Sequence, residues 1–234
     1  MGRQYGYVAT VVLALFPLST GKLRLLLIAL STTTWLGLIV LTWRHRRVRI
    51  ALLAITTAKA IFLIAPGSAS YDRAALRNEY AAALRRYRGV TYFWGGETPF
   101  GIDCSGLMRR GLIDACAIHG IRTLNPQLAR AALYLWLHDE SAKEMGEGYL
   151  GLTHRAFPAP SLNALDYNRL RPGDMAVTES GIHVLAYLGD HTWVEADPTV
   201  GKVIELSAPN QENAWFATPV NIVSWILLEP RTPH

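Results

Sequence analysis

Hydrophobic and polar positions follow two different patterns along this chain. Up to residue 69 the apolar residues run almost without interruption. Tyr5–Thr20 is apolar but short. Leu25–Trp43 is 19 residues without a charge, close to the length a bilayer core requires. Ile50–Pro66 is 17 residues with Lys59 near its middle. These runs predict two or three transmembrane helices. After the linker Pro66-Gly67-Ser68-Ala69-Ser70 the pattern becomes periodic. Leu76, Tyr80, Ala83, Leu84 and Tyr87 share one face of a helix predicted at Tyr71–Arg88, with Ser70 or Asp72 as cap and Gly89 as stop. A second helix is predicted from Cys104 to about Ile118, ending near His119-Gly120. A third starts at Asn125-Pro126, with Asn as cap and Pro at its first position, and runs to about Asp139. Residues 140–168, with several Gly and Pro, read as loop-rich. Strands then follow at Met175–Thr178, Ile182–Leu188, Thr192–Ala196, Val203–Leu206 and Val220–Leu228, with Gly189-Asp190-His191 as a hairpin turn. The expectation is a transmembrane anchor at 1–69 and an α+β domain with an antiparallel sheet at 70–234.

Charge sharpens this division. Residues 1–69 carry eight Lys/Arg and no Asp or Glu, whereas residues 70–234 carry 15 Lys/Arg and 18 Asp/Glu. The basic balance therefore belongs to the anchor, and the remainder shows no basic, aromatic-interleaved face for nucleic acid. Four arginines in Arg44-His45-Arg46-Arg47-Val48-Arg49 mark a cytoplasmic loop, which sends the next segment, and the domain after it, outward. A cleaved signal peptide would account for one apolar run only. Two features oppose the arrangement. Lys59 would cost about 2.5–3.5 kcal/mol at a helix centre. If all three segments span, Lys22 and Arg24 fall on the outer side.

The chemistry concentrates at Tyr92–Arg110. Glycines at 95, 96 and 101 and Pro99 make an irregular loop, and Asp103-Cys104-Ser105-Gly106 opens the following helix. A thiol in the first helical turn faces unpaired N–H groups and the positive end of the dipole, which lowers its pKa. A small buried apolar cysteine is the commoner fate, but a loop this rich in glycine serves close backbone approach, not core building. The only other cysteine, Cys116, is 12 residues on, about 18 Å along a helix, where a disulfide needs Cα atoms within about 7 Å. No Cys/His cluster has zinc spacing and no Gly-rich phosphate loop follows a strand, so no metal or cofactor is expected. Among seven histidines, His119 reads as a helix-dipole partner, and His138 and His154 as surface or structural residues. His183 follows a glycine at a strand start. Its face also carries Leu185 and Tyr187. If Tyr187 pairs with Trp193, then Glu195 and Asp197 point to the same face. A slip of one residue would put neither there.

These motifs resemble the NlpC/P60 family of cysteine peptidases. The matching residues are Tyr92-x-Trp94-Gly95-Gly96, Pro99-x-Gly101 and Asp103-Cys104-Ser105-Gly106-Leu107, then Arg171-Pro172-Gly173-Asp174, Gly181-Ile182-His183-Val184 and Tyr187-Leu188-Gly189. The resemblance covers roughly residues 72–228. It implies a papain-like fold, with Cys104 as nucleophile and His183 as base. Alignment to the family selects Glu195 as the residue that orients His183, with Asp197 in reserve. Many relatives carry a histidine there, so glutamate is a departure, yet a carboxylate can hold the imidazole tautomer. The resemblance gives Tyr92 a hydroxyl directed into the site. It gives Asp103 and Ser105 the free amino group of a cell-wall peptide stem, though both could equally cap the helix. The 79 residues from Cys104 to His183 are long for the family, which marks about 120–165 as an insertion. The implied function is a membrane-anchored endopeptidase of peptidoglycan stem peptides, cutting a γ-D-glutamyl–diamino-acid bond outside the bacterial cytoplasmic membrane. The alternative is a Cys/His acyltransferase or thioesterase acting on lipid in the same bilayer. A non-enzymatic membrane scaffold is disfavoured by the intact Cys104 and His183.

Overall fold

A computed structural model describes residues 20–68 and 70–229. The described residues begin with two long helices, α1 (Gly21–Leu41) and α2 (Arg46–Ile64). Thr20 caps α1 by accepting from the Leu23 N–H. The helices fold back on each other, with Trp35 Nε1 donating to Thr56 Oγ1 at 2.9 Å and Lys59 lying 5.5 Å from the Trp35 ring centre. The arginine-rich turn is at one end of this hairpin and the remaining fold is at the other.

The expectation of two or three transmembrane helices needs correction. Among the described residues one helix, α1, is long and apolar enough to cross a membrane. The segment Ile50–Pro66 does form a helix, but α2 also incorporates Arg46, Arg47 and Arg49 and carries Lys59. Tyr5–Thr20 lies outside the described residues apart from Thr20.

Helix α3 (Arg73–Arg86) is capped by Asp72, not Ser70, and stops before Gly89, whose φ is +83°. Helix α4 (Cys104–Arg122) runs a turn further than the periodicity indicates, because Thr123, and not Gly120, ends it. Helix α5 (Pro126–Leu137) has Asn125 as its cap. Residues 140–168 hold regular elements as well as loop. They contain α6 (Ala142–Glu147), closed by a Ser141/Glu144 capping box, and a strand, β3 (Thr153–Ala159). Two short strands, β1 (Glu97–Thr98) and β2 (Gly101–Ile102), pair within the glycine loop. The remaining strands are β4 (Met175–Thr178), β5 (Val184–Gly189), β6 (Thr192–Asp197), β7 (Lys202–Ser207) and β8 (Val220–Trp225). Residues 226–228, read as strand, turn instead into a short 3-10 helix.

The main sheet is antiparallel throughout, in the order β3-β8-β4-β5-β6-β7. Strand β3 escapes a sequence reading because it is an edge strand with a bulge after Arg155 and a proline at 158, so its alternation is broken. One face of the sheet packs Val177, Val184, Ala186, Val194 and Val223 against α3 and α4. The other packs Leu185, Tyr187, Trp193 and Ile222 under the 157–170 and 213–217 segments. Period-two alternation thus buries both faces, and the result is the papain-like α+β arrangement.

The hairpin is tied to this fold at both ends. Arg130 of α5 donates to the Leu63 and Ala65 carbonyls at 2.8 Å, closing the C-terminus of α2. Arg24 of α1, only 2% exposed, pairs with Glu97 and Asp139 at 2.6 Å each, and Arg109 bridges the same two acids. Arg24, an anomaly for the charge rule, has its counter-charges in the domain.

Candidate active site

The site forms where the first turn of α4 meets the end of the sheet at His183. Asp103 caps α4. Its Oδ1 accepts from the Gly106 N–H at 2.6 Å and from Ser105 Oγ at 3.1 Å, while Oδ2 accepts from the Gly95 N–H at 2.8 Å. This one carboxylate fixes both the helix start and the glycine loop. The glycines are required by close approach. A Cβ on Gly106 would lie 2.1 Å from the Gly96 carbonyl oxygen, and one on Gly96 would lie 2.5 Å from that of Gly101.

Cys104 is buried at this junction, close to the backbone N–H of Val184, one residue beyond His183. The expected lowering of its pKa is not found. Burial pushes the thiol up to about 12 and the Asp103 carboxylate adds to the rise. The N–H groups of Val184, Ser105 and Cys104 itself pull the other way. Desolvation of a thiolate outweighs the partial charge of the helix end, because the dipole acts with fractions of a charge whereas burial removes the whole hydration shell. The resting sulfur is therefore a neutral thiol. Tyr92 lies close enough to Cys104, Asp103 and Asp197 that their charges join burial in raising its phenol to about 12.

His183 sits immediately before β5, one residue outside the strand. Its N–H donates to Thr178 Oγ1 at 3.1 Å and its carbonyl accepts from the Thr178 N–H. The hairpin register pairs Tyr187 with Trp193 and Ala186 with Val194, and Asp190 and His191 occupy the left-handed conformations of its tight turn. Glu195 is thereby brought to the His183 face, and His183 Nε2 donates to Glu195 Oε2 at 2.5 Å. Both side chains are almost completely buried. Burial holds the Glu195 carboxyl above the usual carboxylate range, and the hydrogen bond and charge of His183 oppose this. With Nε2 engaged, Nδ1 is the nitrogen left for a reacting group.

Asp197, the reserve residue, is committed elsewhere. Its Oδ1 accepts from the Thr199 and Val200 N–H groups at 2.6 and 2.9 Å, closing the β6–β7 turn. Two residues that the sequence reading missed complete the site. Asn213 Nδ2 donates to Glu195 Oε1 at 2.7 Å and to Asp197 Oδ2 at 3.0 Å. Trp215 stacks on the His183 ring at 4.3 Å, with its N–H held by Asn213 Oδ1. Neither lies in a periodic element. An Asn followed two residues later by an aromatic in a turn was the only available signal. His119 is in the last turn of α4, His138 caps the C-terminus of α5, and His154 pairs with Glu229 on the sheet edge. None of the three joins the site.

Beside Cys104, Asp103 and Ser105 line a crevice of about 230 Å³ with Arg24, Glu97, Asp139 and Glu140. Glu140 is only 3% exposed and neither of its oxygens has a hydrogen-bond partner. Burial, with the nearby Glu144 carboxylate, pushes it up to about 7 against the pull of Arg109. Both cysteines are free thiols, and no cluster among the described residues could hold a metal ion.

Several solved structures resemble the chain. NlpC1 from Trichomonas vaginalis aligns with a TM-score of 0.41 and 17% identity over 68% of this chain and 46% of its own. The peptidoglycan hydrolase RipB from Mycobacterium tuberculosis aligns at 0.42 and 18% over 66% of each chain. The P60 domain of antigen MAP1204 from M. avium subspecies paratuberculosis aligns at 0.42 and 19%, covering 67% of this chain and 98% of its own. The chain thus spans less than half of the Trichomonas protein's length. No curated protein matches it. The NlpC/P60 family matches residues 89–220, more than half of the chain. That span opens just before the Tyr92 loop and closes just after Trp215, so it contains every group around Cys104 and His183, and the chain belongs to the NlpC/P60 family.

Proposed function

We propose that Cys104, His183 and Glu195 form the catalytic centre of a cysteine peptidase that cleaves peptidoglycan stem peptides. Members of the family are cysteine peptidases or amidases. The observation that carries the assignment of roles is the buried 2.5 Å contact from His183 Nε2 to Glu195 Oε2, beside the helix start that bears Cys104. In this mechanism His183 Nδ1 takes the thiol proton as the sulfur attacks the scissile carbonyl. The resulting imidazolium is stabilised by Glu195, which keeps its own orientation through Asn213. The Cys104 N–H meets the developing oxyanion. The protonated His183 gives its proton to the leaving amine, and water then hydrolyses the thioester with His183 again as base. A thiol that is neutral at rest suits this order, since the proton moves only when substrate is in place.

Substrate and location are further parts of the reading. The family resemblance favours a γ-D-glutamyl–diamino-acid bond, with Asp103, Ser105 and Tyr92 on the substrate side. The α1–α2 hairpin anchors the domain. Because α1 and α2 pack side by side, a bilayer that holds α1 holds α2 at the same depth. The arginine turn then lies in the cytoplasm and the domain outside, as the positive-inside rule requires. Full-length protein in detergent, incubated with stem peptides and separately with phospholipids and analysed by mass spectrometry, tests the activity. New amine and carboxyl termini in the peptides are expected. Deacylated or transacylated lipid with intact peptide would replace this reading with the lipid-directed one. A cytoplasmic reporter active when fused at the C-terminus would overturn the topology.

A further inference from the structure

The segment 115–138 contains no Asp or Glu. It forms the second half of α4, the connecting turn and α5, and it carries an unusual share of exposed apolar surface. Ile121 is 64% exposed and Leu124 76%, and Leu133, Tyr134 and Leu137 each exceed 40%. Two of these exposed residues extend apolar stripes: Ile121 continues the line of Ile113 and Ala117 along α4, and Leu133 lies with Ala129 and Trp136 along α5. With Phe62 and Leu63 of α2 these stripes enclose an open crevice of about 460 Å³, whose one charged lining residue is Lys59.

Its position on the hairpin identifies what it faces. Lys59 lies five residues before the end of α2, about 7–8 Å down that helix at 1.5 Å per residue. The domain therefore reaches alongside the anchor by this distance. Amphipathic helices lying in a membrane interface bury their apolar faces about 5–10 Å. The composition agrees as well: Trp136 and Tyr134 are residue types of the aromatic belt, and the segment has no acidic residue to desolvate, while its two arginines are held by Glu79 and by the Leu63 and Ala65 carbonyls.

We infer that α5 and the second half of α4 form a bilayer-inserted surface, whose crevice is filled by acyl chains. This rests on the reading of α1–α2 as a membrane hairpin. It gives the insertion a role, which is to seat the catalytic domain on the membrane at a set height. It also gives Lys59, about 7–8 Å from the domain end of α2, a place near the outer interface instead of at the bilayer centre.

Full-length protein in nanodiscs containing phosphatidylglycerol tests this with nitroxide labels on single introduced cysteines at Ile121, Leu133, Leu36 and Val200, all exposed positions. Both native thiols are buried, and the unlabelled parent measures their background. Collision with oxygen, which partitions into lipid, is compared with collision with a water-soluble nickel complex. Oxygen is expected to dominate at Ile121, Leu133 and Leu36, and nickel at Val200. Oxygen at Leu36 with nickel at Ile121 and Leu133 would overturn the surface and leave the anchor standing. Shielding of Ile121 and Leu133 from both reagents would also overturn it, since protein, such as residues 1–19 or a second copy, would then cover the face. Nickel at Leu36 would remove the anchor and the inference together.

Discussion

The two cysteines of α4 offer a controlled comparison. Cys104 and Cys116 lie on one helix, both are buried, and burial pushes both thiols up to about 12. Their surroundings differ in what opposes that burial. Around Cys116 nothing does: it has apolar neighbours and no polar partner that would stabilise a thiolate. Around Cys104 the N–H groups of Val184, Ser105 and Cys104 itself favour the thiolate, and Val184 follows directly on His183 of the His183–Glu195 pair. What separates the two buried thiols is thus the set of groups that would stabilise a thiolate once the proton leaves.

The largest effect expected is at Cys104 itself. Cys104→Ser should lower kcat/KM for a stem peptide by about 10³-fold or more. Cys116→Ala should leave kcat/KM unchanged and lower stability by about 1 kcal/mol, as for a small cavity in the core. Equal loss of activity from the two, in folded protein, would break the comparison.

Next is Glu195. Glu195→Ala should cut kcat by about 10²–10⁴-fold, with Glu195→Gln retaining more, because the amide still accepts from Nε2. Removing one partner of a buried pair also costs roughly 3–5 kcal/mol, so the folded fraction must be measured by circular dichroism alongside the rate. A rate unchanged in folded Glu195→Ala would transfer the role to another group. Asn213→Ala should cost about 10-fold in kcat, since Glu195 then loses a charge-assisted hydrogen bond. Asp197→Ala should cost less, because its carboxylate mainly closes a turn. The reverse ranking would show that the turn, and not the Asn213 bridge, holds the site.

The smallest effect concerns stability against pH. Glu140 is raised to about 7 in the folded state from an ordinary value near 4.5. Between those values the folded chain binds more protons than the unfolded one, so stability falls as pH rises through this window. The contribution is on the order of 1–3 kcal/mol. Glu140→Gln should flatten denaturant midpoints between pH 5 and about 8 while leaving the acid limb in place. A Glu140→Gln profile parallel to the wild type would mean that Glu140 is ionised throughout.

Much of this arrangement is written in short-range rules. Asp103 before a helix start is a cap wherever it occurs, and Asn125-Pro126 opens a helix in the same way. The hairpin parity follows from a period of two, which relates positions 183, 187, 193 and 195 once the turn at 189–191 is placed. The uneven charge of the two segments follows from composition alone.

Other features depend on contacts between residues distant in sequence. Asn213 reaches Glu195 across β7 and an irregular turn, and Trp215 reaches His183 across a longer separation; no periodicity links them. The raised pKa of Cys104 comes from burial in the folded chain and from the Asp103 carboxylate, at a helix end whose dipole favours the thiolate. Arg24 and Lys59 read as misplaced charges along the chain, and only tertiary structure supplies Glu97 and Asp139 of the domain for the first and the Trp35 ring of the neighbouring α1 for the second. Local sequence determined where helices start and which faces strands present, because those energies act within a few residues. The tertiary structure decided which polar groups lose water and which partners they then meet, because desolvation is a property of everything packed around a group.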